Sequence, residues 1–149
     1  FIIGAASAFG SYLTWEGIPR AISAALVENI ESQWALLLTI NVILLVVGCF
    51  FEGGAAMILL APILVPVILH AGIDPVFFGI IMSINLTIAG FTPPFGTMLF
   101  VTTSIANVSL EEYIKESWPF LLALLAVLFA LTFMPQVVLF VPNLVYGSG

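Results

Sequence analysis

Two consecutive prolines, Pro93 and Pro94, lie inside an otherwise apolar run and limit the fold of this chain more than any other feature. Each lacks a backbone N–H, and each ring clashes with the preceding turn, so a regular helix cannot pass through them. Pro94 also pushes Pro93 out of the α region. Gly90 and Gly96 flank the pair and give the backbone room to turn. In water such a stretch is an ordinary loop. Here hydrophobic residues make up 62% of the chain and charged residues only 7%, where a soluble domain carries roughly a quarter charged residues. Mean hydropathy is +1.29. These values predict an all-α integral membrane protein. Broken backbone at membrane depth is tolerated only where protein buries it or it lines a watery cavity. Carbonyls released from helical pairing, beside the Thr92 and Thr97 hydroxyls, are hard oxygen ligands suited to a small cation.

The formal charge of −6 rests on eight acids against two bases, Arg20 and Lys115. There is no basic patch for nucleic acid and no polybasic segment for anionic lipid. With so few cations the positive-inside rule says almost nothing. Cys49 is the single cysteine, which excludes a disulfide or a multi-cysteine metal site within the chain. The chain opens Phe1-Ile2-Ile3-Gly4, with neither Met nor a charged n-region, and reads as a piece of a longer polypeptide.

Residues 1–13 are apolar with many small side chains and read as the end of a transmembrane helix. Residues 14–32 combine an interfacial turn at Trp15 with a short amphipathic arm on the membrane surface. Residues 34–51 and 55–69 are both strongly apolar and meet at Glu52-Gly53-Gly54. The second run has about 15 residues where a span needs about 20. The spacing therefore predicts a re-entrant helical hairpin over 33–71, with its tip near 49–54 and close to the midplane. Asp74 followed by Pro75 is a helix start signal. The helix that follows is interrupted over 90–96, so 72–107 forms one discontinuous membrane helix. Ser109 to Glu112 has capping-box spacing and opens a surface turn over 108–117. Residues 118–145 supply a C-terminal transmembrane helix, with Pro135 near its far end.

The hairpin tip and the break are expected at similar depth. Interrupted apolar segments of this kind are the best sequence pointer to a midplane site in a secondary transporter. Glu52 is the single acid within the apolar region, and an intramembrane carboxylate is a functional candidate by default. It can hold a proton or a cation, or it can simply cap the helix that follows. Asn41, Leu45, Gly48 and Glu52 share one helical face. Asn85 is suited to a ligand role and equally to an interhelical hydrogen bond. Thr102 and Thr103 can bond back to their own helix, Met98 reads as packing, and His70 and Asp74 read as turn and cap. No nucleophile elbow, HExxH, P-loop or dinucleotide motif is present, so an enzymatic reading has no support.

Four motifs stand in register: Gly48-Cys49-Phe50-Phe51-Glu52; Ala61-Pro62-Ile63-Leu64-Val65-Pro66; Gly72-Ile73-Asp74-Pro75-Val76-Phe77-Phe78-Gly79-Ile80-Ile81; and Gly90-Phe91-Thr92-Pro93-Pro94-Phe95-Gly96. Together they closely resemble the C-terminal third of the large membrane subunit of tripartite ATP-independent periplasmic (TRAP) transporters, over almost the whole chain. The resemblance implies one inverted repeat of an elevator-type, Na+-coupled secondary transporter in a bacterial or archaeal inner membrane. It also implies three partners: the first inverted repeat of the large subunit, a small membrane subunit, and a periplasmic binding protein that delivers an organic acid such as a C4-dicarboxylate or sialic acid. By residue match, Na+ positions fall at Gly48, Glu52, Gly90, Thr92, Pro93 and Thr97, with Gly53, Gly54, Asn85 and Gly96 near the substrate. The family usually carries Asp where this chain has Glu52, which keeps the charge and shifts its oxygens. The resemblance puts the loop Ala106–Glu116, which contains Lys115, in the cytoplasm and the C-terminus in the periplasm. Two competing readings are a pore module, which requires a continuous hydrophilic helix face, and a structural subunit with no ion site of its own.

Overall fold

The computed structural model describes residues 32–147 continuously, together with positions 4, 8, 11, 12 and 15–17. The helix end expected over 1–13 and most of the arm expected over 14–32 therefore lie outside the described residues. The described residues are all-α. Helices α1 (Gln33–Phe50) and α2 (Gly53–His70) are followed by α3 (Pro75–Gly90), α4 (Thr97–Ala106) and α5 (Leu110–Thr132). Two short helices, α6 (Pro135–Val138) and α7 (Phe140–Tyr146), end the chain. By length and composition α1, α2 and α5 are each able to cross a membrane.

The turn between α1 and α2 is shorter than the sequence suggests. Only Phe51 and Glu52 leave the helical region, both with extended backbone. The Glu52 carboxylate accepts from Gly54 N at 2.9 Å and Ala55 N at 2.8 Å. This cap satisfies two of the N–H groups that a helix start leaves open. It draws Gly53 and Gly54 into α2, although glycine costs a helix about 1 kcal/mol each. Helix α2 therefore has 18 residues, not the shorter run expected, and matches the 18 of α1. Each is about 27 Å long.

Helix α3 is the centre of the bundle. Asp74 Oδ1 accepts from Phe77 N at 2.8 Å and Pro75 occupies the first turn, so the helix starts on the two signals read from the sequence. Helices α1, α2 and α5 all pack on α3, whereas the two arms of the hairpin scarcely touch each other. The seam with α1 is close because Gly48 has no side chain. A Cβ there would stand 2.5 Å from Ala89 Cβ and 3.1 Å from Leu86 Cδ2. Small residues of this kind let apolar helices approach where lipid removes any hydrophobic drive to associate. Leu36, Ile40 and Leu44, at helical spacing on α1, bury against Phe78, Ile81 and Met82 of α3 in one apolar core.

One end of the bundle is tied by side chains. Gln33 Nε2 donates to the Ala71 carbonyl, joining the start of α1 to the end of α2. The Trp34 and Phe133 rings, 5.5 Å apart, add the end of α5. At the other end Phe50 stacks near Phe95 at 5.2 Å, so the hairpin turn meets the break.

The C-terminal region departs from expectation. Most of the turn expected over 108–117 and the first part of the helix expected over 118–145 form one 23-residue helix, α5, that starts at Leu110 and ends at Thr132, with α6 and α7 in the remainder. Ser109 Oγ accepts from Glu112 N at 3.2 Å, and the helix then runs through Pro119 without ending. It stops at Thr132 because Pro135 forces the residue before it off the α region. Met134 accordingly has φ −123° and ψ 63°.

Candidate functional site

Helix α3 ends at Gly90, and helical structure resumes only at Thr97. Between them the chain folds back on itself. Thr92 N donates to Ala89 O at 3.0 Å, and Gly96 N donates to Thr92 O at 3.2 Å. Gly96 consequently lies against the carbonyls of Gly90 and Thr92. A Cβ at Gly96 would strike the Gly90 carbonyl and come within 2.9 Å of Thr92 O, so only glycine closes this loop. The peptide between Pro93 and Pro94 is cis.

The hairpin turn and the break face one cleft of about 380 Å³. Glu52, Gly53, Gly54 and Met57 line it from the start of α2, and Ser83, Leu86, Thr87 and Gly90 from one stripe of α3. Phe91, Thr97 and Met98 complete it. The C-terminus of α3 and the N-termini of α2 and α4 therefore converge on the cleft, with the end of α1 two residues before Glu52. Carbonyl ends suit a cation, and N–H ends suit an anion. The available donors are a carboxylate, hydroxyls and backbone oxygens. Oxygen donors of this kind are hard ligands, and among the described residues no three His, Cys, Asp or Glu side chains cluster.

The candidate residues divide between the two faces of the break. Glu52, Gly53, Gly54, Gly90 and Thr97 border the cleft. Gly48 is sealed in the α1–α3 seam, and Pro93 O lies 3.9 Å from Cys49 Sγ on the α1 side. Thr92 Oγ1 donates to Ile88 O at 2.8 Å, which leaves its oxygen lone pairs unspent. Buried Gly96 links the two faces through its contact with the Gly90 and Thr92 carbonyls. Asn85 does not reach the cleft. It turns to α1, where its Nδ2 donates to Asn41 Oδ1 at 2.7 Å and Asn41 O at 3.0 Å. Of the two roles open to Asn85, the geometry is that of the interhelical bond. Thr102 and Thr103 bond back to their own helix, to Met98 O at 2.8 Å and Phe100 O at 3.1 Å.

The sequence reading passed over Met57, Leu86 and Thr132. Leu86 was legible, since Ser83, Leu86, Thr87 and Gly90 fall at three- and four-residue steps on the face that leads into the break. Thr132 carried no such signal, because its partner Asn41 is 91 residues away.

The family profile for the tripartite ATP-independent periplasmic transporter, DctM component, matches residues 1–137. The chain belongs to this family. It is 42% identical, over 93% of its length, to the isethionate TRAP transporter permease protein DctMQ of Oleidesulfovibrio alaskensis. It is 41% identical, over 96% of its length, to the C4-dicarboxylate TRAP transporter large permease protein DctM of Pseudomonas aeruginosa. It is 34% identical, over 91% of its length, to the sialic acid TRAP transporter permease protein SiaT of Haemophilus influenzae. The chain covers only 22%, 34% and 22% of those three proteins, about a fifth to a third of their length. These relatives are transport permeases, not enzymes, and the apolar helices agree with a membrane-embedded protein.

Proposed function

We propose that this chain is the second inverted repeat of a TRAP transporter large subunit, and that it carries a Na+ site and part of an organic-acid site through an elevator-type cycle. The observation that carries the reading is the convergence of the hairpin turn and the helix break on one cleft. A pre-broken backbone offers carbonyls to Na+ without melting a helix in each cycle, and water satisfies them when the ion leaves. Glu52 contributes charge beside them. Its two oxygens already accept from Gly54 N and Ala55 N, so it serves the site with the lone pairs that remain.

Relative lengths support a re-entrant hairpin over a pair of full spans. From the hydrogen bond between Asn41 and Thr132, α1 runs nine residues on to Phe50, about 14 Å. From the same bond α5 runs back 22 residues to Leu110, about 33 Å. The first two turns of α5 carry Glu111, Glu112, Lys115 and Glu116, so its apolar part reaches back from Thr132 only to Trp118, about 21 Å, and the hairpin turns about one helical turn short of that level. The substrate is a small organic acid, of the class named for the relatives above. The partners are the first repeat, a small membrane subunit and a periplasmic binding protein, in a bacterial or archaeal inner membrane.

The test is uptake of a panel of organic acids into proteoliposomes by the full-length parent with its partner subunits, with and without Na+. The expected result is Na+-dependent uptake, with Glu52→Gln and Thr92→Ala each raising the Na+ requirement while the protein still folds. Uptake indifferent to Na+, or variants with wild-type Na+ curves, would make the hairpin turn and the break architectural.

A further inference from the structure

We infer that Asn41, Asn85 and Thr132 form a register lock that fixes the depth of the hairpin turn against the helix break. The three side chains are fully buried, each at 1% exposure or less, in an otherwise apolar bundle. Asn85 Nδ2 on α3 donates to both the backbone and the side-chain oxygens of Asn41 on α1. Asn41 Nδ2 donates onward to Thr132 Oγ1 on α5 at 3.1 Å, and Thr132 Oγ1 donates to Leu128 O at 2.8 Å. One chain of hydrogen bonds therefore pins three helices at a single level.

Two further features point to register and not to stability. First, Asn85 Oδ1 is buried without a partner. The amide is held with its N–H groups on the two Asn41 oxygens even though this strands its own acceptor, an arrangement that costs stability and specifies one alignment. Second, the seam is otherwise apolar, with Leu37, Ile40 and Leu44 of α1 and Phe78, Ile81, Met82 and Leu86 of α3 in one core. Apolar faces of this kind gain little from association where lipid is as apolar as the side chains, so the Gly48–Ala89 contact near the turn and the amide pair deeper in the seam are what set the register. Asn41 and Asn85 act seven and four residues before Gly48 and Ala89, the close contact just below the turn. A slip of α1 on α3 would part Cys49 and Phe50 from Pro93 and Phe95 and separate the two halves of the cleft. Asn41, Asn85 and Thr132 are thus positioning residues. They lie outside the lining of the cleft.

The consequence for transport rests on the function proposed above, but the register itself does not, and it is read without transport. In the full-length parent with its native cysteines replaced, Phe50→Cys and Phe95→Cys, at two exposed positions whose rings stand 5.2 Å apart, supply two thiols for a short bifunctional thiol reagent. The parent is expected to cross-link. Asn41→Leu with Asn85→Leu removes both polar partners together, so neither is left orphaned. The double variant is expected to fold with parental thermal stability while cross-linking at these positions falls about threefold or more, the size of an average interhelical hydrogen bond in membranes. An unchanged yield in the folded double variant overturns the lock. So does a double variant that fails to fold, because the pair would then carry stability and not register. A parent that does not cross-link removes the apposition of turn and break on which the inference stands. A lost register with Na+-indifferent uptake refutes only the proposed ion site, and an intact register with Na+-dependent uptake refutes only the lock.

Discussion

The N-termini of α2 and α4 face the same cleft, yet α2 begins under the Glu52 carboxylate while α4 begins at Gly96 with no side-chain cap. Both ends carry the partial positive charge of a helix start. On α2 the chain supplies its own anion, so that end presents a carboxylate to the cleft. On α4 the end is bare, and its charge is available to an anion from outside. The two ends therefore present opposite charge to the cleft, a carboxylate at α2 and an uncapped helix start at α4.

The largest effect is expected at the start of α4. Gly96→Ala drives a methyl group into backbone carbonyls on two residues, and backbone cannot rotate away as a side chain does. We expect a loss of about 3 kcal/mol, at the upper end for overpacking, seen as a lower unfolding temperature of the full-length parent in detergent. Gly53→Ala at the start of α2 is the comparison. Its nearest neighbours stand 3.7 Å away, an ordinary contact, and alanine is the better helix former. It should leave stability unchanged or slightly raised. Equal losses at the two positions would mean that the break does not close on Gly96.

The second contrast separates capping from ion chemistry. Asp74 caps α3 through Phe77 N at the opposite end of the bundle from the cleft. Asp74→Ala should cost about 1 kcal/mol of stability and leave the Na+ concentration for half-maximal uptake unchanged. Glu52→Ala also loses a cap, but should in addition raise that concentration several-fold. Glu52→Asp, with the side chain usual in the family, keeps an excellent N-cap and the charge, so its Na+ curve should stay close to that of the parent. If Glu52→Ala lowers stability with no change in the Na+ curve, the carboxylate is a cap and nothing more.

What could be read from the sequence follows from the range over which each feature is determined. The break at Pro93 and Pro94, the start of α3 at Asp74 and Pro75, and the Ser109 cap are set within a few residues, and each was legible. The length of α2 was not, because two glycines argue against helix and only the Glu52 side chain, folded onto their N–H groups, reverses the balance. The end of α5 was misjudged for a related reason. Pro119 and Pro135 look alike in sequence, but the helix continues through the first and stops before the second. The partition of the site was hidden altogether. Gly48 and Asn85 belong to the α1–α3 seam and not to the cleft, because α1 packs on α3 instead of on α2. That is a tertiary choice no local pattern records.

The smallest effect tests the break itself. Thr92 Oγ1 donates to Ile88 O, and Thr102 Oγ1 makes the same four-residue back-bond to Met98 O, each at 2.8 Å. Valine at either position keeps the shape and removes the hydroxyl. Each substitution should cost about 0.5 to 1 kcal/mol, the net worth of one hydrogen bond, so the two should be indistinguishable by unfolding temperature. They differ in where the lost oxygen sits. Thr92 stands in the unwound segment next to Phe91 of the cleft lining, where its carbonyl meets Gly96 and its hydroxyl oxygen has lone pairs to spare, whereas Thr102 lies inside regular helix in α4; neither borders the cleft itself. Thr92→Val should therefore raise the Na+ requirement of uptake by about twofold or more, in line with the loss of a weak neutral ligand, and Thr102→Val should not. Matched stability with unmatched Na+ curves would assign the difference to ion coordination. Matched Na+ curves would leave the Thr92 hydroxyl as a brace for the last turn of α3, and the cation site would then have to be built from carbonyls and Glu52 alone.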